Sequence, residues 1–182
     1  MYYAMHARLV ARRDASHFMY LEPDVVPLRA RWAEALHALL PPRSERFWVK
    51  GSAARGPTRV DEWVTHHING NALYDCGDAE FARLVAAAET NPPRVFKGRS
   101  DPYDLALAAH FYDVTCHALG DANKRCEPLT SVAWRRDRQH LYKYAEFVVN
   151  YHDAVVDLAE ARRRYPCAVL VPAPAFCGSR RF

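Results

Sequence analysis

The residues with the clearest chemical potential lie close together between His117 and Arg125. The stretch reads His-Ala-Leu-Gly-Asp-Ala-Asn-Lys-Arg, so it combines an imidazole, a carboxylate, an amide, an ammonium and a guanidinium. Lys124 contributes a point charge, and Arg125 can hold two phosphate oxygens at once. These residue types at this spacing are typical of a site that binds phosphate groups.

The other residues of the stretch suit the transfer of a phosphate group. A helix that begins here would offer free backbone N–H groups, including that of Ala122, to an anion. Asp121 is a hard oxygen ligand that could take one position on Mg²⁺ while phosphates take others. His117 titrates near neutral pH and could accept the proton of an attacking hydroxyl. A simpler alternative is that Asp121 and Asn123 cap a helix and that His117 is a core or loop histidine.

The stretch is predicted to connect two helices. Asp101, followed by a proline, predicts a helix start, and Asp104 places a negative charge near the positive helix end. The helical pattern continues to about Leu119. It resumes after the motif, around Leu129 to Trp134.

Most of the remaining chain also reads as helix. Hydrophobic residues at helical spacing predict helices over residues 25–40, 60–68, 78–90 and 141–159, with Asn69–Asn71 ending the second of these. Residues 43–58 read as a loop or a short hairpin around residues 47–50, and Cys167–Val171 as a short strand or an extended tail. Residues 1–21 show no decisive pattern. We therefore predict a mainly α fold, a helical bundle with a short β-hairpin or flap.

Length and composition favour one domain. The chain has 182 residues, half of them hydrophobic, which is enough for one sizeable core. We expect a single domain over residues 1–182, with a core over about 60–165 and an N-terminal extension over 1–58. No apolar run approaches the roughly 20 residues that cross a bilayer, so we expect a cytoplasmic protein with no membrane partner. The net charge of +4 is modest and its arginines are dispersed, which argues against a nucleic-acid partner.

At its central stretch the chain resembles the Fic/Doc family. The family signature reads histidine, any residue, phenylalanine, any residue, aspartate or glutamate, glycine or alanine, asparagine, glycine or lysine, and arginine. The chain agrees with it at His117, Asp121, Ala122, Asn123, Lys124 and Arg125, and has Leu119 in place of the phenylalanine. The similarity extends over about residues 70–140, where Asp101-Pro-Tyr-Asp-Leu-Ala looks like the Doc branch.

The resemblance implies an all-helical fold and a role for each matching residue. His117 would deprotonate a hydroxyl, Asp121 would bind Mg²⁺, and Asn123 and Arg125 would hold the phosphates of ATP or another nucleoside triphosphate. Family members with lysine at the position of Lys124 are associated with phosphate transfer, and those with glycine there with AMP transfer. The Doc branch acts as toxins on a translation factor, elongation factor Tu, and is held in check by a separate antitoxin.

We therefore expect an enzyme that moves phosphate from ATP to a hydroxyl of a protein target. Three alternatives stay open: AMP transfer, action on a small metabolite, and a non-catalytic module that binds a nucleotide or a partner. Pro128 favours the last of these, because a proline would disrupt the first turns of the following helix.

Overall fold

The computed structural model describes residues 1–13, 15–23, 25–40, 46–55, 67–90, 102–111, 131–148, 150–151 and 157–172. The helices are α1 (Tyr2–Arg12), α2 (Trp32–His37), α3 (Ala79–Thr90), α4 (Tyr103–Phe111), α5 (Val132–Arg138) and α6 (Leu158–Arg164). The strands are β1 (His17–Tyr20), β2 (Val25–Pro27), β3 (Val49–Arg55), β4 (Ile68–Asp75), β5 (Tyr142–Tyr144), β6 (Asn150–Tyr151) and β7 (Leu170–Pro172). None of the described helices is long and apolar enough to cross a membrane.

A mixed sheet lies at the centre of the described structure. Its strand order is β1-β4-β3-β5, and β6 pairs with β3 further along. Strand β4 is antiparallel to β1 and β3, whereas β5 and β6 are parallel to β3. Strands β2 and β7 form a separate antiparallel pair. The prediction of a mainly α-helical bundle is therefore wrong, because sheet pairing joins segments that are far apart in sequence and individually short.

The main core fills the space between the sheet and helices α1, α3 and α4. Trp48, just before β3, is fully buried, and its ring stacks on Phe81 of α3 with centroids 5.5 Å apart. Tyr2 of α1 stacks on Tyr103 of α4 at 4.0 Å. Residues from the first part of the chain thus share one core and one sheet with later residues.

Two of the predicted helices are replaced by strands over part of their described residues. Within residues 25–40, Val25–Pro27 is a strand paired with β7, and helix covers only Trp32–His37. Within residues 141–159, the chain forms β5 and β6, and a helix begins only at Leu158. In both regions apolar residues occur at helical spacing, but long-range pairing partners decide the backbone conformation.

The region before α3 also differs from prediction. Strand β3 occupies residues 49–55, where we expected a loop or a short hairpin around residues 47–50. Strand β4 begins at Ile68, where we expected a helix to end. The earlier part of that predicted helix, residues 60–66, lies outside the described residues. Asn69–Asn71, interpreted as a helix stop, instead forms part of β4.

Four predicted elements are present in the described residues. The helix expected around Leu129 to Trp134 is present as α5, Val132–Arg138. Helix α3 covers Ala79–Thr90, and Asp78 caps it, since its Oδ1 accepts hydrogen bonds from the backbone N–H groups of Glu80 and Phe81. Helix α4 covers Tyr103–Phe111 of the predicted helix that follows Asp101. For residues 167–171, predicted as a short strand or an extended tail, the structure has the strand β7 at Leu170–Pro172.

Candidate functional site

The predicted site lies within residues 112–130, outside the part of the chain that the structure describes. This applies to the catalytic candidate, the metal-ligand candidate and the phosphate-binding candidates alike: His117, Asp121, Ala122, Asn123, Lys124 and Arg125. The elements on either side of it are described. Helix α4 ends at Phe111, and α5 begins at Val132. The two described borders of the site are therefore the end of α4 at Phe111 and the start of α5 at Val132.

The facing ends of α4 and α5 lie next to each other. The ring centroids of Phe111 and Trp134 are 6.1 Å apart. Both rings contact Trp48, with centroids 6.2 and 5.8 Å from it, respectively. Phe111 and Trp48 are buried. Both described borders, the end of α4 and the first turn of α5, therefore rest on the same core residue.

Glu80 of α3 forms hydrogen bonds with α5, the helix that follows residues 112–130. Its Oε1 accepts hydrogen bonds from Trp134 Nε1 at 3.3 Å and from Arg138 Nε at 2.6 Å. The Arg138 guanidinium also lies over the Trp134 ring, 5.2 Å from its centroid. Ser131 caps α5, with its Oγ accepting from the backbone N–H of Trp134 at 3.2 Å. Glu80 carries no distinct signal in the sequence, because an acidic residue in a first helical turn is explained by the helix dipole alone.

The start of α4 is held on strand β4. The Tyr103 hydroxyl donates to the carbonyl oxygen of Gly70 at 2.8 Å. A Cβ at Gly70 would lie 2.5 Å from that hydroxyl oxygen, so the contact requires glycine. Asp104 Oδ2 is 3.6 Å from His67 Nε2, and the two side chains are only 11% and 7% exposed. Helix α4 is thus fixed to the sheet at its first turn as well as at Phe111.

Strand β4 contains a bulge around Gly70, the residue that accepts the hydrogen bond from Tyr103. Gly51 pairs with Ala72 but Ala53 pairs with Ile68, so β4 has additional residues opposite Ser52. Asn71 in the bulge is buried, and its Nδ2 donates to Glu22 Oε2 at 2.7 Å. Asn71 Oδ1 in turn accepts from the backbone N–H of Glu22 at 2.7 Å. These paired bonds tie the chain after β1 to β4.

His110 is a buried histidine on the helix that leads into the predicted site. It is 1% exposed, one residue before the end of α4. Burial lowers the pKa of His110 from 6.5 to about 4, because the charged imidazolium is poorly solvated there. At neutral pH the side chain is therefore uncharged.

A cleft of about 500 Å³ lies at the start of α3. It is lined by Val10, Arg13, Ala15, Ser16, Cys76, Gly77, Asp78 and Ala79. Asp78 forms an ion pair with Arg46 here. Burial opposes ionisation of Asp78, but hydrogen bonds from the Phe81 backbone and Arg46 outweigh it and lower the pKa of Asp78. The N-terminal amides of α3 are thus capped by the protein's own carboxylate.

The described residues contain no group of three or more histidine, cysteine, aspartate or glutamate side chains arranged to hold a metal ion. Asp121, the residue assigned to Mg²⁺ from the sequence, is not among them. Comparison with protein-family models, with curated proteins and with solved structures found no match. The resemblance to the Fic/Doc family therefore depends on the residues of the motif and its neighbouring segments.

Proposed function

We propose that this protein transfers a phosphate group from ATP to a hydroxyl of a protein target, and that His117–Arg125 carries out the transfer. The observation that carries the proposal is the arrangement of the two borders of the segment. Helices α4 and α5 end and begin side by side on Trp48, with the Phe111 and Trp134 rings 6.1 Å apart. Rigid, packed elements on either side of a chemically rich sequence are suited to positioning its functional residues.

Each residue of the motif has a role in this proposal. Asn123 and Arg125 bind phosphate oxygens, together with Lys124 and the backbone N–H of Ala122. Asp121 holds Mg²⁺, which neutralises negative charge on the phosphates when it is bound.

His117 accepts the proton of the acceptor hydroxyl as its oxygen bonds to the γ-phosphorus. The bond between the γ-phosphorus and the bridging oxygen breaks at the same centre, and ADP leaves with the electron pair. Positioning and electrostatic stabilisation supply most of the rate in reactions of this type.

Phosphate transfer is preferred to AMP transfer because of Lys124. In the family that the motif resembles, lysine at this position accompanies phosphate transfer and glycine accompanies AMP transfer. The mixed sheet differs from the helical fold of that family, so the proposal depends on the motif and its borders rather than on fold. The same chemistry occurs on unrelated folds in many proteins, so a fold that differs from the family's is compatible with the family's reaction.

The proposal is tested with the full chain, Mg-ATP and purified elongation factor Tu as the acceptor probe. We expect the mass of the acceptor to increase by one phosphate with the wild-type protein. The His117→Ala variant should bind Mg-ATP normally but transfer no phosphate, because it lacks only the base. An increase by one AMP would replace phosphate transfer with nucleotide transfer. Equal phosphate transfer by the variant would overturn the role of His117.

Should Mg-ATP be hydrolysed without modification of the protein probe, water would be the phosphate acceptor in this mixture, and elongation factor Tu would be rejected as the target. Should no nucleotide bind at all, the segment would not be a phosphate site. The chain would then be a binding module without this chemistry, as the alternative based on Pro128 proposes. The first result rejects this acceptor, and the second rejects the proposed phosphate transfer itself.

A further inference from the structure

We draw no further inference here: the strongest candidate, the cleft at the start of α3 lined in part by Arg13, Ser16 and Cys76, carries none, because the helix amides beside it already bond to the Asp78 carboxylate and nothing in the structure shows what ligand would fill it.

Discussion

Acidification should destabilise this protein through His110. The imidazole is 1% exposed on α4, and its burial lowers its pKa to about 4. In the unfolded chain the pKa of a histidine is about 6.5. Between these two values the unfolded state binds more protons than the folded state. Stability is therefore fully present above about pH 6.5 and is lost as pH falls towards the folded pKa.

The size of the effect follows from the difference between the two pKa values. The shift from 6.5 to about 4 corresponds to a loss of about 3 kcal/mol from His110 between about pH 7.5 and pH 4. Burial also lowers the pKa of His6 and of His17, so these residues act in the same direction. For a domain with typical total stability of about 5–15 kcal/mol, this is a substantial fraction.

The assay is urea unfolding of the wild-type protein and of His110→Gln at several pH values across this range. Glutamine is uncharged throughout and retains hydrogen-bonding groups, so the variant removes the titration but not all polar contacts. We expect the fall in unfolding free energy on acidification to be smaller in the variant by about 3 kcal/mol. An identical pH dependence in both proteins would show that His110 is not buried in its neutral form and would refute the reasoning.

Two further predictions concern the elements that support the borders of the site. Gly51→Ala should lower the free energy of unfolding in urea by about 1–3 kcal/mol. The reason is that a Cβ there would overlap Ile68 Cγ2 and lie 2.7 Å from Ala72 Cβ. Unchanged stability would contradict the close approach of β3 and β4. Asp78→Ala should cost about 1 kcal/mol through loss of the α3 cap, whereas Asp78→Asn should cost little because asparagine also caps helices. Equal losses in the two Asp78 variants would assign the effect to the ion pair with Arg46 instead.

Local signals predicted some elements correctly. Asp78 followed by apolar residues at helical spacing gave the start and inner face of α3, since capping and periodicity act within one turn or two. The same holds for α4, whose first turn carries Asp104. These features depend on neighbours in sequence, so the sequence alone contains the information.

Long-range pairing could not be predicted in the same way. Tyr142–Tyr144 lies parallel to Val49–Gly51, and this pairing overrides apolar spacing that is typical of a helix. Asn69–Asn71 has the composition of a helix stop, but it forms a bulge because β3 lies alongside it.

The candidate site shows the same difference between local signals, which can be read from the sequence, and long-range contacts, which cannot. The motif residues are predicted from type and spacing, and they lie outside the described residues. Glu80 gave no sequence signal, because its partners Trp134 and Arg138 lie more than fifty residues away.

The most direct test of the central claim is a calorimetric titration of the full-length wild-type protein with Mg-ATP. A phosphate site between α4 and α5 predicts saturable binding at one site per chain, weakened when Mg²⁺ is removed by a chelator. The absence of saturable binding across the concentrations of ATP found in cells would contradict the account, because no phosphate transfer can proceed without that complex.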